Sequence, residues 1–366
     1  MSYRPARMKF GVFMAPLHHR VDENPTLSMH EDLEFLEILD RLDFDEAWIG
    51  EHHSGAVEIF ASPEIMIAAA AQRTRRIMLG SGVIDLPLHH PFMVADRMLM
   101  LDHITRGRAM LGVGSGALRA DFRMLGIDPD LKSRMTDEAL EAIIALLRGE
   151  APVTRKTDWF ELNEARLQMA SYTAPHLPIG VAGSASADGS MAAGRYGLIQ
   201  MSPARSPEVL DAAWTRVEET AARCGTPVHR RNFRAMKFIH VAETRQQALD
   251  DCRARMPTFT GLPLMGVSLN GTDRSRLPEL SVEAGGSIIG TPDDAIEAIE
   301  ALLDGSGGFG GVLLAMYGVV ERQRMIRSFE LFARHVMPRF QRSYSTMRAN
   351  REWVVATNGG PIAQRL

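Results

Sequence analysis

At 366 residues, with 45% hydrophobic and 23% charged side chains, the chain is large enough for one big α/β domain or two ordinary ones. A formal net charge of -4 and a pI near 6.3 argue against a nucleic-acid or polyanion binder. No apolar run approaches the roughly 20 residues of a membrane span, and residues 1–7 are too polar for a signal peptide. The two cysteines, Cys224 and Cys252, have neither metal-ligand nor redox spacing, so reduced thiols in a cytoplasmic protein are expected.

Strand-like and helix-like segments alternate along the chain. Residues 10–14 read as a strand, and Leu33, Leu36 and Leu39 then recur at helical spacing through 32–42. Residues 47–50 return to strand, and Pro63, with Ser62 as its cap, opens a helix to 71. A strand over 77–86, a helix over 91–103, a strand over 109–113 and a helix over 136–147 follow. The second half keeps the rhythm: strands at 179–182, 198–201, 235–241 and 311–316, with helices after Ser186, over 207–223, over 245–253 and over 322–340. Eight such units predict an α/β protein built as a closed (β/α)8 TIM barrel, with an open doubly wound sheet as the alternative. Insertions at 150–177 after the fourth helix and 256–287 after the seventh break the pattern. The second, rich in Gly and Pro, reads as a mobile lid on a single domain spanning 1–366.

Active sites of such barrels lie where strands end. The ends carry His18-His19, Glu51-His52-His53, His89-His90, Gly114-Ser115-Gly116, Gly183-Ser184-Ala185-Ser186 and Met201-Ser202. His52, fixed by a preceding strand, is the candidate for proton transfer near neutral pH. Gly183 to Ser186, between a strand and a helix, suits a phosphate, although helix capping by Ser186 explains the same residues. Gly80 and Gly82 interrupt a strand, as a bulge or a close approach of ligand or backbone would require. The glycines at 112, 114 and 116 lack the spacing of a dinucleotide fingerprint. Adjacent histidines on a strand point to opposite faces, so each pair offers one inward imidazole, and three of them make a conceivable zinc site. No metal centre is expected.

These residues resemble the bacterial luciferase-like, flavin-dependent monooxygenases over nearly the whole chain, most strongly in 46–54, 79–108, 112–126 and 179–197, with Gly290-Thr291-Pro292 and 329–340 continuing the likeness. The segments 16–25 and 51–63 look closest to limonene monooxygenase-like members. The resemblance implies a two-component enzyme: a separate NAD(P)H:flavin reductase supplies FMNH2, which reacts with O2 to a C4a-(hydro)peroxyflavin. One oxygen atom then passes to a small or medium apolar ketone, aldehyde or terpene-like substrate. By the same resemblance His52 handles protons beside the flavin, and Gly82-Val83 forms a non-prolyl cis peptide against its ring. Gly183, Ser184 and Ala185, with Ser186, form the phosphate turn, and Gly114 and Ser115 stand where luciferase has a reactive cysteine and an arginine. Ala187 replaces a threonine. The phosphate then needs another cation, for which Arg119 and Arg155 are candidates, while Met14, His18 and His19 border the substrate. Two other readings stay open: an F420-dependent hydride-transfer enzyme of the same superfamily, and a non-catalytic flavin-binding relative. The barrel exterior suggests a homodimer.

Overall fold

The structure, a computed structural model, describes residues 2–15, 17–18, 22–149, 151–183, 188–259, 265, 267–268, 272–342 and 344–358. Eight parallel strands close on themselves in chain order: β1 (Lys9–Met14), β2 (Glu46–Ile49), β3 (Met78–Ser81), β4 (Ala109–Gly114), β5 (Ile179–Ala182), β6 (Ile199–Pro203), β7 (Phe233–Val241) and β8 (Gly311–Met316). Closure is by β8 against β1, with Lys9 beside Gly311 and Met14 beside Met316. The alternation of strand and helix thus resolves as the TIM barrel, not the open sheet. Helices start where capping side chains stand: Asn24 accepts from Thr26 N–H, Ser206 from Val209 N–H and Thr244 from Gln247 N–H. Ser62 occupies its expected cap position, but its hydroxyl donates to Glu64 at 2.8 Å instead.

Three segments depart from the sequence reading. The strand expected over 77–86 is two pieces: β3 stops at Ser81, the Gly82–Val83 peptide is cis, and Ile84–Asp85 resumes pairing beside Val113 and Gly114 of β4. The 150–177 insertion holds an antiparallel hairpin, Val153–Lys156 with Glu161–Ala165. After the seventh strand, Ser287–Gly290 pairs with the second half of β7, and a helix Pro292–Gly305 follows, opened by a capping box between Thr291 and Asp294. Neither of those last two elements was expected. Among the described residues, no helix is long and apolar enough to cross a membrane.

The core has two layers. Outward-facing strand residues such as Phe10, Val12, Ala47 and Ile49 pack against the helices. Inside the barrel sits a smaller cluster of Trp48, Met110, Ile199, Met201 and Leu313. Trp48 is fully buried, and the glycines of three successive strands make room for it. A Cβ on Gly80 would fall 2.7 Å from its Cε3, one on Gly112 3.1 Å from the same atom, and one on Gly180 2.9 Å from Cη2. The close approach that the strand glycines signal is therefore by a side chain of the barrel itself. At the N-terminal end of the barrel, Arg234 and Glu46, 2% and 1% exposed, form a buried ion pair across the interior.

Candidate active site at the barrel mouth

A cavity of about 530 Å³ opens at the C-terminal ends of the strands, within the range of small-molecule sites. Gly50, His52 and Glu58 border it after β2, Gly82, Val83 and Asp85 after β3, and Gly114 to Ala117 at and after β4. Gly183 follows β5, and Met236, Lys237 and Phe238 come from β7. Phe13, Leu17, Phe259 and Tyr317 add apolar wall. Six expected site residues thus meet in one place: His52, Gly82, Val83, Gly114, Ser115 and Gly183. His19, Ser184, Ala185 and Ser186 lie outside the described residues.

Met14 and His18 do not border this cavity. Alternation along β1 turns Phe13 inward and sends Met14 into the outer core. The His18 ring turns to Asp32, its Nε2 2.9 Å from Oδ2, and Leu17 takes its place on the wall. Arg119 and Arg155 are also elsewhere: Arg119 is exposed and 3.6 Å from Asp130, while Arg155 pairs with Glu141 at 2.7 Å. The cations on the wall among the described residues are Lys132, Arg205 and Lys237. Lys132 starts the helix Lys132–Arg148, and its Nζ donates to the Gly116 carbonyl at 2.8 Å. The Gly183 amide already donates to Met201 C=O at 2.7 Å as the last rung between β5 and β6.

His52 hangs from the end of β2, its amide tied to Phe60 C=O at 2.9 Å. Its ring lies between two buried carboxyls: Nε2 is 3.2 Å from Glu58 Oε2, and Nδ1 is 3.5 Å from Asp121 Oδ2. His52 Nδ1 and Asp121 Oδ1 are buried without a hydrogen-bond partner. His53, in the loop beyond β2, turns to a different partner. Its Nε2 lies 2.8 Å from Glu51 Oε1, and His89 Nε2 reaches the same oxygen at 2.5 Å. These three polar atoms converge within 4.8 Å and are spent on one another, buttressing the end of β2.

Four carboxyls, Glu51, Glu58, Asp85 and Asp121, are buried at this end of the barrel, and two of them, Glu58 and Asp121, flank His52. Burial alone would raise Glu51, but hydrogen bonds from His89 and His53 outweigh it and hold the carboxyl below its ordinary range. At Glu58 nothing offsets burial in this way. Burial, then the charges of Asp85 and Asp121, push it up to about 8. Burial, with Glu51 and Asp121, likewise brings Asp85 to about 8. Lys237, buried with its ammonium donating to the carbonyls of Ala204 and Gly285, is lowered to about 8 by burial. The mouth therefore holds three groups shifted to about 8, which suits acid–base chemistry near neutral pH.

A closed barrel with an imidazole flanked by buried carboxyls at its C-terminal mouth defines an enzyme class that comparison with known proteins makes specific. A family profile described as luciferase-like monooxygenase matches residues 8–308. The chain is 43% identical over 359 residues to 4-hydroxyprotoasukamycin monooxygenase of Streptomyces nodosus subsp. asukaensis, covering 95% of this chain and 96% of that one. It is 42% identical over 368 residues to limonene 1,2-monooxygenase of Rhodococcus erythropolis, covering 94% and 92%. In fold it is similar to the oxygenating constituent of 3,6-diketocamphane monooxygenase from Pseudomonas putida, a type II Baeyer–Villiger monooxygenase solved in complex with FMN. That match has a TM-score of 0.77 at 22% identity and covers 91% of this chain and 98% of the other. The chain belongs to the luciferase-like monooxygenase family and is a flavin-dependent monooxygenase.

Proposed function

We propose that this protein is the oxygenating component of a two-component system: it takes FMNH2 from a separate reductase and places one atom of O2 into a small or medium apolar ketone, aldehyde or terpene-like molecule. The observation that carries this reading is one cavity joining His52, Gly82, Val83 and Gly183 beneath an apolar wall. The named relatives support it, one being an oxygenating constituent and in complex with FMN.

The residues present fit a flavin. Its ring would lie by Gly82, Val83 and Gly114, where His52 Nδ1 and Asp121 Oδ1 are buried polar atoms without partners. Its phosphate would be met toward Gly183 and Lys132, the cation that stands in for the arginine replaced by Ser115. When bound, reduced flavin supplies the electrons that activate O2. The protein's share is to hold the ring flat, shed water from the cavity, and keep a proton at the His52 imidazole. Phe259 brings the 256–287 excursion onto the wall, which supports a covering role for that segment.

The test is anaerobic titration with FMNH2 and, separately, with reduced F420, followed by admission of O2 in the presence of an apolar ketone or terpene, in wild type and His52→Gln. FMNH2 binding by both proteins, with oxygenation lost only in the variant, supports the reading. Preference for F420, or unchanged oxygenation in the variant, contradicts it.

A further inference from the structure

Glu58 comes from the loop between β2 and the helix Pro63–Arg73, where a glutamate ordinarily faces water. Its side chain turns inward and is 8% exposed. Three contacts put it there. Residue 58 forms a bridge with Leu17 of the preceding βα loop, and His18 N–H donates to Val57 C=O at 2.7 Å, so two loops are zipped over the mouth. Its Oε1 occupies the space over Gly50, where a Cβ would fall 2.1 Å away. Its Oε2 faces His52 Nε2 at 3.2 Å.

The titratable groups facing Glu58 are His52 from the end of β2, Asp85 from the short strand Ile84–Asp85, and Asp121 from the helix Arg119–Met124. Two of the three are acidic and buried, so ionising Glu58 as well sets like charges together in a poorly solvated wall. The imidazole is the partner with which a proton can be shared. His18, an imidazole of the other loop, is already committed to Asp32.

We propose that Glu58 and His52 form one proton-sharing pair, a single proton held between Oε2 and Nε2, which makes Glu58 the positioning residue that sets the charge state of His52. This rests on the monooxygenase reading of the cavity, in which His52 is the group that manages protons. The pair titrates as a unit. Burial and the two aspartates push Glu58 up to about 8, so the carboxyl brings a proton to the contact at neutral pH. Asp121 Oδ2 stands 3.5 Å beyond the other ring nitrogen.

Glu58→Gln separates a proton role from a packing role, because glutamine keeps the size and the seat over Gly50 and cannot exchange a proton. The readout is the ring-nitrogen resonances of His52 in histidine-labelled protein, followed from about pH 6 to about pH 10, the range spanning imidazole and raised carboxyl titration. The signals are assigned with His52→Gln. Wild type is expected to show an inflection near 8 that vanishes in Glu58→Gln, together with a decline in product formed per O2 consumed above that pH in wild type alone. An inflection of the same position and size in both proteins overturns the proposal. So does its absence from wild type, a result that stands even should the variant fold poorly. Failure of the protein to bind FMNH2 would overturn the flavin reading and leave the resonance measurement intact, so the two are told apart.

Discussion

Gly50 makes room for Glu58: a Cβ on the glycine would fall 2.1 Å from Oε1 of the glutamate. The residue that follows β2 therefore decides whether a carboxyl can lie beside His52. Gly50→Ala is expected to push that carboxyl out of its seat. The cost is about 1–3 kcal/mol in urea unfolding, the usual penalty of overpacking. The variant should also lose the alkaline decline in product yield, as Glu58→Gln does.

Trp48 governs a second glycine set. Gly80→Ala drives a methyl to within 2.7 Å of Cε3, and Met110 Cβ, 3.2 Å away on the other side, leaves no slack. A loss of about 1–3 kcal/mol is expected. Trp48→Phe in the same chain should recover part of it, so that a double-mutant cycle shows coupling between the two positions. Strict additivity would mean that the indole is not what the glycine accommodates.

The raised carboxyls make stability fall with pH. Glu58 holds its proton up to about 8 when folded, against an ordinary value of 4.5. Between those values the native chain binds a proton that the unfolded chain releases, so stability declines as pH rises through the window. Asp85 acts in the same sense from 3.8 to about 8. Glu58→Gln removes one contribution. Its Tm relative to wild type is expected to climb from the acid end of the window to the alkaline end, as read by thermal melts across pH.

Lys132 offers a charge to a phosphate and nothing to the ring. Lys132→Gln is expected to weaken FMN about tenfold to a hundredfold, the scale of one charge-assisted hydrogen bond. Riboflavin, lacking the phosphate, should bind both proteins alike. Quenching of flavin fluorescence reads both affinities.

The ends of the second, fourth and fifth strands, and with them His52, Gly114, Ser115 and Gly183, were legible because a strand–helix alternation numbers its own turns, whereas Gly82 and Val83, inside the strand expected over 77–86, entered the site only through the family resemblance. The phase of β1 was not. Parallel barrel strands are apolar on both faces, so Phe13 and Met14 look alike until register decides which points inward. Gly80 stood out as an anomaly, yet the side chain it accommodates, shared with Gly112 and Gly180, sits on the neighbouring strand β2, and only the register of the sheet brings Trp48 to it. The strand Ser287–Gly290 was hidden behind Gly285-Gly286, although Thr291 and Asp294 carried a capping signal for the helix beyond it. Glu58 gave no signal at all: its burial comes from a bridge between two loops 41 residues apart, Leu17 with Glu58.

The most direct test of the central claim supplies the protein with FMNH2, an apolar ketone or terpene, and isotopically heavy O2. One heavy oxygen atom in each product molecule, with the second recovered in water, is the expected result. Substrate turned over without heavy oxygen, or O2 consumed with none retained in product, would contradict it.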